Sequence, residues 1–85
     1  MNRLKLGQLS VEWQVPTGKA FVVYDDKNFK LPLLVLIGKG EVKDLGKEQR
    51  NALHSITSVA LLPCCPKDKY PIGVPKDVPK LGEEQ

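Results

Sequence analysis

His54, Cys64 and Cys65 are the side chains best suited to metal or nucleophilic chemistry in this chain. Structural zinc takes four ligands, commonly from Cys-x-x-Cys pairs whose spacing lets the side chains converge. Three ligands, two of them adjacent and pointing apart in extended chain, fall short of that, so no metal is assigned. A Cys–His nucleophile needs a base oriented by a third group, and the sequence offers none. Among carboxylates, Asp25-Asp26 lies between two strand-like runs and precedes Lys27-Asn28, the chemistry of a turn, while Glu83-Glu84 sits in the terminal residues. Gly18-Lys19 and Gly46-Lys47 are followed by Ala20 and Glu48, where a phosphate loop requires Ser or Thr, and neither has the earlier glycine of that motif. The reading is non-enzymatic, with no catalytic residue and no cofactor.

A second constellation mixes aromatic and basic residues. Trp13, Lys19, Phe21, Tyr24, Lys27, Phe29 and Lys30 fall on consecutive strand-like segments, with Lys39 beyond them. Aromatic faces stack on bases while lysines follow a phosphate backbone, which is how sheet surfaces bind single strands. Lys19, Lys27, Lys30, Lys39, Tyr24 and Phe29 are therefore the candidate nucleic-acid-binding residues. Core packing competes for the same aromatics. If Val11, Trp13 and Val15 face inward, Trp13 is buried, and Phe21 and Tyr24, of opposite parity, face opposite sides.

These residues sit on a chain of 85, enough for one core. At 41% hydrophobic and 27% charged, its composition is that of a globular domain. The net charge of +3 belongs to the part before Pro63, with nine basic against six acidic residues up to Leu62 and four of each beyond. Arg3 and Arg50 are the only arginines, which leaves little capacity for bidentate contacts to guanine. Adjacent cysteines seldom close a disulfide, because its geometry strains the intervening peptide. The longest apolar run, Leu33 to Ile37, is too short to span a bilayer. Together these features place the chain in a reducing, cytoplasmic setting with no membrane partner.

The elements follow from periodicity. Leu4 and Leu6 begin a strand, and Ser10 to Val15 alternates polar and apolar residues, the period of a half-buried strand. Pro16-Thr17-Gly18 supplies turn chemistry before the run from Ala20 to Tyr24, so a hairpin is expected there. Asp25 to Asn28 makes a second turn. Pro32 lacks a donor, so the next strand is expected from Leu33 to Ile37, with both faces buried, and Gly38-Lys39-Gly40 is expected as a mobile loop. From Leu45 the period becomes helical: Leu45, Ala52, Leu53, Ile56, Val59 and Ala60 share a side, with Asp44 as N-cap and Pro63 as stop. The β-branched residues near Ile56 and Thr57 equally suit a strand, in which case the helix ends early.

From Pro63 onward lie five of the seven prolines, which preclude helix and central strand and leave an extended chain. Tyr70, Ile72, Val74, Val78 and Leu81 are the residues that would anchor this tail to the body or to a partner. The expected architecture is α+β: a small antiparallel β-meander of three or four strands from Leu4 to Ile37, one amphipathic helix, a compact domain over 1–62 and a proline-rich tail over 63–85. Small antiparallel sheets leave edges that a second copy can cover, so a homodimer is expected. The function read from these features is a small protein-interaction module, such as an accessory, regulatory or inhibitor protein of a phage or other mobile element. A basic nucleic-acid-binding protein is the alternative.

Overall fold

In the computed structural model, which describes residues 3–65, 70, 71 and 73–82, the chain forms seven strands and one helix. Strands β1 (Arg3–Leu6), β2 (Val11–Gln14) and β5 (Lys39–Val42) make a first sheet in the order β1-β2-β5. Strands β3 (Lys19–Tyr24), β4 (Pro32–Ile37), β6 (Ser58–Pro63) and β7 (Lys80–Leu81) make a second, ordered β6-β3-β4-β7. Helix α1 covers Lys47–His54. All pairings are antiparallel except that of β4 with β7, which is parallel.

The alternation of Val11, Glu12, Trp13 and Gln14 appears as strict alternation of burial along β2. Val11, Trp13 and Val15 from the first sheet meet Val23, Leu34 and Leu36 from the second, and Leu45 and Leu53 close the same cluster from the helical segment. On the opposite face of the second sheet, Ala20, Val22, Tyr24, Val35 and Ile37 pack with Val74 and Val78. The second sheet is thus the middle layer, and Leu34, Val35, Leu36 and Ile37 are all buried. A strand covered on both faces reads as a continuous apolar run, the pattern of this segment.

Four strands do fall between residues 3 and 37, but they are shared between two sheets and do not form one meander. The turn at Pro16 to Gly18 forms, with the Lys19 amide donating to the Pro16 carbonyl at 3.1 Å and Gly18 at φ +85°. It carries the chain from one sheet to the other, however, because β2 pairs with β1 and β5 while β3 pairs with β4 and β6. At Gly38 to Gly40 only one residue, Gly38 at φ +70°, separates β4 from β5. The Val15 amide donates to the Gly38 carbonyl at 2.7 Å and ties this corner to the end of β2.

Trp13 fixes how the sheets stack. Its indole N–H donates to the Ile37 carbonyl at 2.9 Å across the interface. Gly40 leaves room for the ring, since a Cβ there would stand 2.8 Å from Cη2 of Trp13.

The helix is shorter than its apolar stripe. It begins after Gly46, not at Asp44, and ends at Ser55, whose amide bonds to the Ala52 carbonyl at 3.1 Å and whose hydroxyl bonds to the Asn51 carbonyl at 3.0 Å. Ser58–Pro63 is strand β6, paired with β3 over six residues. Val59 is β-branched, stiff at χ1, and suits a pleated surface better than a helix turn. Ala60 and Leu62 pack on the tail side of the sheet, an outlet that the helical stripe does not offer.

Beyond β6, Cys64 and Cys65 are joined to each other, the peptide between them is cis, and their Cα atoms stand 2.9 Å apart, where the sequence implies two free thiols. Pro71, Val74 and Val78 are buried, and the Tyr70 hydroxyl donates to the Val78 carbonyl at 2.6 Å. Lys80–Leu81 then adds β7 beside Val35 and Leu36 of β4.

Candidate functional site

The loop between β3 and β4 gathers more exposed apolar surface with basic neighbours than any other described loop. Its frame is Asp26. One carboxylate oxygen accepts the Lys30 amide at 2.9 Å and the Leu31 amide at 3.0 Å. The Asp25 amide donates to the Leu31 carbonyl at 3.0 Å, and the Ser58 hydroxyl donates to the Asp26 carbonyl at 2.5 Å. Asp and Asn close such turns because a short side chain can cap several backbone amides at once. Partial desolvation pushes the Asp26 carboxyl up, but the amides of Leu31, Lys30 and Asn28 and the charge of Lys30 outweigh it and hold the acid below its ordinary range.

Within this frame Phe29 adopts φ +58°, a left-handed conformation rare for a bulky side chain. Its ring meets Tyr24 edge to face, with centroids 5.4 Å apart and planes at 86°. Such a backbone costs about 1–3 kcal/mol and persists only where the surroundings impose it. The result is a hairpin tip on which Phe29 is 52% and Leu31 58% exposed, flanked by exposed Lys27 and Lys30. Tyr24 itself is only 5% exposed. Burial raises its hydroxyl pKa, and the nearby Asp26 charge adds to that rise.

The six candidate nucleic-acid residues divide. Lys27, Phe29 and Lys30 share the tip, with Tyr24 beneath Phe29 as a support and its ring withdrawn from solvent. Lys19 opens β3 at its far end, about 20 Å away by strand length. Lys39 opens β5 on the other sheet, opposite Gln14. Trp13 lies in the core, and Phe21 packs partly against it. Of the tail residues, Val74 and Val78 are buried in the body, Tyr70 packs beside them under the Lys80 ammonium at 5.1 Å, and Leu81 packs on the inter-sheet core. Ile72 lies outside the described residues, as do Glu83 and Glu84. Leu31 was not among the candidates because it is neither aromatic nor basic, and its exposure follows from the turn geometry alone.

Two further places hold groups that could do chemistry. The outer face of the first sheet carries Arg3, Gln14 and Lys39 in one row and Lys5, Glu12 and Glu41 in the next. It holds an open depression of about 540 Å³, with Arg3 and Glu12 paired at 3.6 Å. Mixed charge at this exposure describes a solvated sheet face. His54 ends α1, and the six residues of β6, about 20 Å of extended chain, run between the helical segment and Cys64. Among the described residues, no three His, Cys, Asp or Glu side chains form a group that could hold a metal ion. Among them also, no helix is long and apolar enough to cross a membrane.

Comparison of the chain with protein-family models, with curated proteins and with solved structures gave no match.

Proposed function

We propose that this protein is a non-catalytic interaction module that grips another protein through the β3–β4 hairpin tip. The observation that carries the reading is the exposed pair Phe29 and Leu31, held outward by Asp26 and Tyr24. Binding energy in protein interfaces concentrates in a few aromatic and apolar anchors that enter a pocket. Anchors already fixed before binding lose little entropy on contact. Lys27 and Lys30 would face an acidic rim on the partner and speed encounter more than they strengthen it. The tail is the poorer ligand, because Val74 and Val78 are occupied within the body.

A second reading, single-strand nucleic-acid binding, draws on the same tip, where one exposed ring stands between two lysines. It calls for more charge than two lysines supply, because each neutralised phosphate adds one step of salt dependence. The two readings separate by capture from host lysate with and without nuclease, using the full chain and the Phe29→Ser/Leu31→Ser variant. The interaction reading expects one partner that resists nuclease and moderate salt and whose recovery falls more than about 10-fold in the variant. Recovery that disappears with nuclease would transfer the tip to the second reading. A partner retained in full by the variant would remove the tip from both.

A further inference from the structure

β6 is an outer strand of the second sheet, paired with β3 on one side and with no described strand on the other. The phase of its ladder can be read from its C-terminal end, where the Cys64 amide donates to the Gly18 carbonyl at 2.8 Å in continuation of the register, and it agrees with the Val35 amide, which turns away from β3 to the Pro79 carbonyl at 2.9 Å. Alternate pairs in an antiparallel ladder exchange both bonds. With Ala20 opposite Leu62, Val22 opposite Ala60 and Tyr24 opposite Ser58, those pairs carry the bonds to β3. The N–H and C=O groups of Val59 and Leu61 therefore point away from the sheet. Pro63 belongs to this outward set, so its missing N–H takes nothing from the β3 ladder and ends the free donor row.

The segment Ser58-Val59-Ala60-Leu61-Leu62-Pro63 contains no charge, and Val59 and Leu61 are 40% and 37% exposed. Natural edge strands are normally blunted by lysine, an inward charge or a bulge in mid-strand, and only the terminal proline is present here. We propose that this edge pairs with the same edge of a second copy, antiparallel about a two-fold axis at Ala60. In that register Val59 of each copy lies opposite Leu61 of the other. All four outward N–H groups then find outward carbonyls. Ala60 meets its own counterpart in a non-hydrogen-bonded pair, where Cα atoms approach to about 4.5 Å. The small side chain at the axis accommodates this approach, and no like charges meet. The interface is isologous, the commonest arrangement for soluble homo-oligomers, and it joins two four-stranded sheets into one. It uses a different surface from the hairpin tip and stands independently of that reading.

Sedimentation velocity over micromolar to millimolar concentrations tests the pairing, with far-UV circular dichroism to monitor the fold. The native chain is expected to show a monomer–dimer equilibrium, and Leu61→Lys to weaken it by more than about 10-fold, since each dimer would then bury two ammonium groups at the join. An Ala60→Cys variant, oxidised mildly and mapped by mass spectrometry, is expected to give a 60-to-60 cross-link between copies, because the two Cα atoms fall within disulfide reach. A monomer at every concentration overturns the proposal. So does a dimer that Leu61→Lys leaves intact, or one in which residue 60 never links to residue 60. The cross-link decides the matter should the lysine variant fail to fold.

Discussion

At the scale of single residues, Trp13 and Asp26 each hold together what the backbone alone would not. Trp13→Phe keeps an aromatic ring in the inter-sheet core but removes the donor to the Ile37 carbonyl. Leaving that buried acceptor unpaired costs about 1–3 kcal/mol, to be read as a lower denaturation midpoint at unchanged slope. A variant as stable as the native chain would show that packing alone fixes the sheet stacking. Asp26 works through its charge. Its folded pKa lies below the ordinary carboxylate value, so its contribution is fully present above the unfolded group's pKa and is lost as pH falls through the folded one. The amide proton shifts of Lys30 and Leu31 are expected to move with that titration, and to stay still in Asp26→Asn. Movement persisting in the asparagine variant would assign the effect to another acid. The role of Asp26 as a turn former was legible, since Asp-Asp-Lys-Asn between two strands is turn chemistry. The left-handed Phe29 was not, because a phenylalanine gives no local sign that it will accept positive φ.

Elements were legible where one periodicity dominated. The alternation around Trp13 and the aliphatic run before Gly38 each gave a strand with the right buried residues. The class α+β followed from the change of period after Leu45. What the periodicity could not supply was the partner of each strand. Pro16-Thr17-Gly18 has the chemistry of a reversal whether the strands it joins pair together or turn a corner between sheets, and that choice rests on long-range contacts such as Trp13 with Ile37. Residues Ile56 to Leu62 satisfy helical and strand periods alike, and β3 decides between them by offering six residues of ladder. The exposure of Val59 was hidden for the same reason: on a helix it falls on the apolar stripe, whereas on the edge strand it faces water together with Leu61.

At the scale of the molecule, the proline-rich segment contributes to the body in ways that composition does not reveal. Proline fixes φ and removes donors, which rules out central strands, yet nothing prevents Pro71, Val74 and Val78 from covering a sheet face without a ladder of their own. A chain ending at Leu62 would expose Val22, Val35 and Ile37 to water and leave β4 without β7. That chain is expected to lose its cooperative thermal transition when followed by circular dichroism. A sharp melt close to that of the full chain would mean that residues 63–85 are dispensable to the fold. For the same reason, loss of binding on removing this segment would report on folding before it reported on a partner.

The placement of β7 also sets when this protein can reach its final form. Lys80 and Leu81 dock beside Val35 and Leu36, residues made some 45 positions earlier, so the middle sheet stays open along that side until synthesis has almost passed the described chain. Closing such a span must precede the contacts that reward it, and topologies of this kind mature slowly compared with helical bundles. A nascent copy would therefore hold the β4 edge, and the face that Val74 and Val78 later cover, bare for seconds at ordinary elongation rates. That interval is when a chaperone has most to shield.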